Sequence, residues 1–127
     1  MVAAGMPMAD QRFLREYRIR RRKDFDAVFK RRAAAGDQYL LVLGNENGLD
    51  HPRLGLSVPR RIGTAVARNR WKRLLREAFR LTRARLPSGI DLVVVPRRAE
   101  PPDLGRLQQS LRRLARRAAA RLRKAES

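Results

Sequence analysis

Hydrophobic and polar positions alternate between two regimes along the chain. Residues 38–43, Gln-Tyr-Leu-Leu-Val-Leu, form a short bulky apolar run closed by the polar turn cluster of residues 44–48, and predict a strand. Residues 53–58 alternate apolar with small or polar side chains and stop at Pro59, the pattern of a half-buried strand. Residues 90–95 are strongly β-branched and end at Pro96, predicting a third. Between these runs the helical period takes over. Phe25, Val28 and Phe29 share one face of residues 24–32, with Gly36 as a stop signal. Thr64 is placed to cap a long helix reaching about residue 85, before Pro87-Ser88-Gly89. Its apolar arc comprises Ala67, Trp71, Leu74, Leu75, Ala78 and Leu81. Arg68, Asn69, Lys72, Arg73, Arg76, Arg80 and Arg83 lie on roughly the opposite arc. A last helix follows Glu100-Pro101-Pro102-Asp103, with Leu104, Leu107, Leu111, Leu114, Ala118 and Leu122 on one stripe. The order α-β-β-α-β-α predicts an α+β fold: a two-layer α/β sandwich, a small mixed sheet with helices packed on it. Residues 1–17 show no periodicity and are expected to form a flexible basic arm ahead of a single domain over 18–124.

Charge sharpens this picture. The chain has 127 residues, 43% of them hydrophobic, enough for one domain with a modest core. Lys and Arg number 31 against 12 acids, a formal charge of +19, and 27 of the 31 are Arg. Such an excess repels itself in a compact fold unless a polyanion is the usual partner. The bases cluster in residues 12–32, 60–85 and 97–124, and only Arg53 lies between 33 and 59. The absence of cysteine removes disulfides and thiolate chemistry. A lone histidine, His51, leaves almost no material for zinc or triad sites, and its Asp50-His51-Pro52 context reads as a surface turn. No apolar run approaches the ~18–20 residues of a membrane span, and the N-terminus lacks a secretory pattern. The expectation is a cytoplasmic polyanion-binding domain.

The most informative stretch is residues 60–80, Arg-Arg-Ile-Gly-Thr-Ala-Val-Ala-Arg-Asn-Arg-Trp-Lys-Arg-Leu-Leu-Arg-Glu-Ala-Phe-Arg. A glycine precedes a helix whose cationic face has Asn69 in its middle. Guanidinium groups there can fork onto phosphate oxygens, and Asn69 can donate and accept on a sugar, a base edge or a hydrated metal. A merely solvated face normally mixes signs for i,i+4 pairing. Residues 60–85 instead set ten bases against Glu77.

This stretch closely resembles the signature of the bacterial ribonuclease P protein subunit family, roughly basic-basic-x-Gly-x-Ala-Val-x-Arg-Asn-Arg-x-Lys-Arg-x-x-Arg-Glu-x-Phe-Arg. Residues 22–30, 53–58 and 91–95 agree with it, so the resemblance covers about residues 20–115. It implies that a large catalytic RNA with bound Mg²⁺ removes the 5′ leader from precursor tRNA, while the protein supplies no nucleophile. It also implies contacts to that RNA through Arg60, Arg61, Arg68, Asn69, Arg70, Lys72, Arg73 and Arg76. The protein itself holds no metal firmly, Asn69 being the candidate for an indirect contact. The single-stranded leader is expected in a cleft between the first helix and the sheet, at Phe25, Phe29, Tyr39, Val42 and Ser57. Two aromatics spaced i, i+4 on a basic helix can stack on unpaired bases. Periodicity alone would favour core for Phe25 and Phe29, and the resemblance shifts the expectation to the cleft. Val42 stands where the family has a third cleft aromatic, and Pro59 replaces the small polar residue usual before the basic pair. The resemblance further implies a left-handed βαβ crossover, as in the second domain of a small-subunit ribosomal protein. Expected partners are the catalytic RNA and precursor tRNA, with no membrane and no obligate protein partner.

Two other readings compete: a general RNA-binding structural protein of ribosomal type, and an amphipathic membrane-surface protein. The first shares charge, size and fold class but needs no combination of the Arg-Asn-Arg helix with the Asp-Phe-x-x-Val-Phe segment. The second needs bulky apolar residues facing lipid, whereas the strand pattern uses them in a core. Asp24 and Asp26 could pair on a metal, although neighbouring bases make salt bridges the simpler fate. Trp71, on the apolar arc, reads as core. The Arg-rich last helix either touches RNA or only raises the general field.

Overall fold

A computed structural model describes residues 15–126. A four-stranded mixed sheet in the order β1-β2-β4-β3 carries three helices. In chain order the elements are α1 (Arg22–Arg31), β1 (Ala33–Gly36), β2 (Leu40–Glu46), β3 (Arg53–Leu56), α2 (Ala65–Thr82), β4 (Ile90–Pro96) and α3 (Leu104–Glu126). β1 with β2 and β2 with β4 are antiparallel, while β3 and β4 run parallel and are connected through α2. The expected α+β sandwich is thus present, with one strand more than the periodicity predicts.

That strand is β1, Ala-Ala-Ala-Gly, which carries no alternation and reads as helix on propensity. Arg32 adopts the left-handed conformation (φ 60°) and ends α1 there, so Gly36 does not serve as the helix stop. The chain then turns back to pair Ala33–Gly36 with Leu41–Gly44. β2 also runs on to Glu46, through residues that read as turn, because Gly44, Asn45 and Glu46 pair with Leu92, Asp91 and Ile90. Gly44 has a packing reason: a Cβ there would lie 3.0 Å from Ile90 Cδ1. The helix starts are clearer. The Thr64 side chain accepts a hydrogen bond from the Ala67 N–H at 3.2 Å, and Asp103 Oδ1 accepts from the Arg106 N–H at 2.9 Å.

Strand alternation sorts the core onto two faces of the sheet. Leu40, Val42, Leu54, Leu92 and Val94 face α2 and α3, where Trp71, Leu75, Phe79, Leu107, Leu111 and Leu114 are fully or almost fully buried. Leu43 and Val93 face α1 and pack with Val28 and Ile19. Each such burial contributes about 1.5–3 kcal/mol. The Trp71 Nε1–H donates to the carbonyls of Arg98 and Ala99 at 3.1 Å, as a buried indole requires. The apolar arc of α2 is turned from the expected one: Phe79 and Thr82 are buried, whereas Leu81 is exposed.

Of the expected basic arm, residues 1–14 lie outside the described residues. Arg15–Tyr17 form a 3₁₀ turn held by aromatic and polar contacts. Tyr17 meets the His51 ring edge-on at 5.1 Å, and the Arg83 guanidinium lies 3.9 Å from the Tyr17 ring centre. His51 Nε2 lies 3.1 Å from the Glu16 carbonyl oxygen. His51, expected as a surface turn residue, is therefore a half-buried tie between this turn and the β2–β3 loop.

Candidate nucleic-acid interface

β3 is an edge strand, and the chain ahead of α1 lies alongside it: Arg18 bridges to Leu54 and the Ile19 N–H donates to the Leu54 carbonyl at 3.0 Å. α1 then crosses the neighbouring face of the sheet. Between them opens a cleft of about 210 Å³ lined by Arg18, Ile19, Phe25, Leu54, Gly55, Leu56, Lys72 and Arg76. Its floor is apolar, its rim carries three cations, and no carboxylate lines it. Gly55 makes the floor possible. A Cβ at that position would lie 2.7 Å from Phe25 Cε1 and Cζ, so only glycine lets the ring settle over the strand.

Phe25 therefore lies in the cleft and is half-buried, while Phe29, one turn further along α1, is 42% exposed. Ser57 follows Gly55 by two residues, on the same side by alternation, and its N–H donates to Val94 O at 3.1 Å. Of the five expected cleft residues only Phe25 is among those that line it, Phe29 and Ser57 lying outside the lining, and the other two pack on the opposite face. Val42 is fully buried on the opposite face, against α2 and α3, and Tyr39 packs against that same core with the Arg98 guanidinium 5.3 Å from its ring centre. The side chains of β2 that face α1 are Leu41 and Leu43. Sequence reasoning missed Arg18, Ile19 and Gly55 as lining residues. The small residue in the alternating run 53–58 was the available signal.

The cationic face of α2 continues from the cleft rim. Arg60 and Arg61 are exposed in a 3₁₀ turn, and Gly63 (φ 150°) takes a backbone angle that suits glycine as the chain enters α2. Asn69, Arg70, Arg73 and Arg76 are exposed, and Lys72 and Arg68 half-buried; the Arg68 Nε is buried without a partner. Two arginines of the expected arc have other duties. Arg80 forks onto Glu77, and the hydrogen bond, reinforced by charge, lowers the Glu77 pKa and raises that of Arg80. Arg83 anchors Tyr17.

Ion pairs account for the carboxylates near the cleft. Arg53 donates to both oxygens of Asp91, at 2.8 and 2.7 Å, and Asp24 lies 3.6 Å from the same guanidinium. The Asp91 hydrogen bond is the main cause that raises the Arg53 pKa. Asp26 faces Arg22 at 4.0 Å. Among the described residues, no three His, Asp or Glu side chains come together in a way that could hold a metal ion. No helix among them is long and apolar enough to cross a membrane.

A sequence model of the Ribonuclease P family matches residues 13–119. The chain belongs to the bacterial ribonuclease P protein family. The ribonuclease P protein component of Thermotoga petrophila is 44% identical over 86 residues, spanning 68% of this chain and 74% of that protein. That of Vibrio cholerae is 38% identical over 117 residues, 86% of this chain and 99% of its own length. Among solved structures, the Thermotoga maritima protein superposes with a TM-score of 0.71 at 38% identity, covering 79% of this chain and 96% of that one. The Staphylococcus aureus protein gives 0.68 at 30% identity, with 79% and 93% covered. Membership in the ribonuclease P family favours the expected reading over the ribosomal-type and membrane-surface alternatives.

Proposed function

We propose that this chain is the protein subunit of a ribonuclease P holoenzyme. It binds the catalytic RNA through Arg60, Arg61 and the α2 face, and the single-stranded 5′ leader of precursor tRNA in the cleft beside α1. The observation that carries this reading is one juxtaposition: Phe25 over Gly55, with Lys72 and Arg76 of α2 on the opposite wall. A flexible strand needs a ring to stack its bases and cations to follow its phosphates, and this cleft presents both. Phe29, exposed one turn along α1 and outside the cleft lining, is proposed as a second ring for the leader.

The protein's part is positional. Forked guanidinium contacts on phosphate hold the RNA, and leader binding keeps the substrate in register with the catalytic centre of the RNA. Mg²⁺ supplies charge stabilisation of the cleavage when bound by that RNA. No three His, Asp or Glu side chains cluster among the described residues, and the ion is assigned here to the RNA, with Asn69 offering only an amide to a hydrated ion. The activity is then an RNA-dependent endoribonuclease (EC 3.1.26.5) acting in the cytoplasm, with the protein as its non-catalytic subunit.

Reconstitution with a bacterial ribonuclease P RNA at low Mg²⁺ tests this. The protein should restore removal of the leader. Phe29→Ala should weaken binding of precursor tRNA by about 1–3 kcal/mol while leaving mature tRNA unaffected. Arg73→Ala should weaken binding to the catalytic RNA itself. Equal losses on precursor and mature tRNA would remove the leader from the cleft.

A further inference from the structure

α3 carries a second cationic site that the reading above does not use. Residues 104–125 contain eight bases and no acid. Arg112, Arg113, Arg116 and Arg117, with Gln109, line a groove of about 460 Å³. A second hollow of about 400 Å³ joins it, sharing Gln109 and Arg112 and adding Gln108, Gly105, the end of α2 at Leu81 and Thr82, and Arg85 in the 3₁₀ turn that follows. The two form one trough from the end of α2 along the outside of α3. α3 packs on the sheet face opposite α1, and the trough shares no lining residue with the Phe25 cleft, which opens at the β3 edge between α1 and α2.

The trough is not a solvated surface of the usual kind. Arg112 with Arg116, and Arg113 with Arg117, place like charges at i,i+4, which disfavours the free helix. Arg113 is braced by Asp37 at 2.6 Å. Among the described residues Arg112, Arg116 and Arg117 have no acidic partner, and the Arg112 Nε is buried with no hydrogen bond at the junction of the two hollows. The forked donors of Arg112, Arg116 and Arg117, held together without counter-charge, suit phosphate oxygens. The lining contains no aromatic ring, and its arginines and glutamines suit a phosphate backbone whose bases are paired away.

The geometry points to a second RNA site in this trough, one that takes the phosphate backbone of a double-helical segment of the RNA bound by α2. The inference rests on the RNA-binding reading above but not on the leader cleft.

The test uses the full chain, wild type and the double variant Arg116→Gln, Arg117→Gln. Both residues are exposed and glutamine keeps helix propensity, so circular dichroism melts should coincide. Each protein is titrated with a blunt RNA duplex of about 16 base pairs and with a short single strand, over a range of salt. The variant should bind the duplex about tenfold more weakly. Its plot of log affinity against log salt should be shallower by about 1.4–1.8, the equivalent of two phosphates. Single-strand binding should stay within twofold. Arg116→Lys, Arg117→Lys should restore the slope. Unchanged duplex binding, or equal losses on both probes, would overturn the site and return these arginines to the general field. Holoenzyme activity at low Mg²⁺ is read separately. An inactive wild type with α3-dependent duplex binding would sink the ribonuclease P reading alone, and active holoenzyme with no duplex effect would sink the trough alone.

Discussion

Asp37 joins three elements through one carboxylate. Its Oδ1 accepts from the N–H groups of Tyr39 and Leu40, at 2.8 and 2.9 Å, closing the turn from β1 into β2. Its Oδ2 accepts from Ser110 Oγ at 2.7 Å and from Arg113 at 2.6 Å, tying that turn to α3. Burial pushes its pKa up, but the Leu40, Ser110 and Tyr39 hydrogen bonds and the Arg113 charge outweigh this, and the net shift is downward. A carboxyl lowered in the folded state stabilises it fully above the unfolded value of about 3.9 and loses that contribution as pH falls through the lowered value. Asp37→Asn should therefore cost about 1–3 kcal/mol near neutral pH, and the gap from wild type should close towards pH 2. Urea midpoints of both proteins from pH 2 to 7 check this, and a gap independent of pH would assign the loss to shape rather than charge. The same residue explains part of Arg113's orientation beside the trough, a link no local pattern announces, since Asp37 and Ser110 are far apart in sequence.

At the level of elements, what the chain discloses depends on whether an element answers to its own residues or to its neighbours. α2 was legible because Thr64, the apolar arc and the basic arc are all local, and the same holds for the leucine stripe of α3. β1 was not, since three alanines and a glycine become a strand only by pairing with β2. The cleft was half legible. Phe25 and Phe29 follow from helical spacing, but residues 39–43 are apolar throughout, so alternation could not say which of them face α1. Choosing Tyr39 and Val42 picked residues that pack on the other side, and Leu41 and Leu43 were the ones facing the helix. How closely α1 sits on the sheet is itself testable. Gly55→Ala should force Phe25 outward and cost about 1–3 kcal/mol. Phe25→Leu in the same chain should relieve the clash, so the double variant should cost less than the two single changes summed, by about 0.5 kcal/mol or more. Chemical denaturation of the four proteins gives the coupling, and strict additivity would mean that the ring does not rest on Gly55.

For the whole molecule, the formal charge of +19 acts in two opposed ways. Several of the acids are already committed to fixed pairs, Asp91 and Asp24 with Arg53, Glu77 with Arg80 and Asp37 with Arg113, which leaves the cleft rim, the α2 face and the α3 trough cationic together. In the free protein those three surfaces repel one another across a domain small enough for the repulsion to be felt throughout at low salt. The Debye length falls from about 30 Å at 0.01 M salt to about 3 Å at 1 M. Adding sodium chloride should therefore raise the unfolding temperature of the free protein, the reverse of a fold held mainly by its ion pairs. RNA binding should move the other way, losing roughly 0.7–0.9 log units of affinity per phosphate neutralised for each log unit of salt. The two responses can be read in one set of melts with and without a saturating RNA duplex. RNA stabilises the fold by mass action, so the shift it produces should be largest at low salt, where the free protein is weakest, and should shrink as salt rises. If salt instead lowers the unfolding temperature of the free protein, the Arg53–Asp91 and Arg113–Asp37 pairs outweigh the repulsion, and the basic surfaces are better compensated than their lack of acidic neighbours implies.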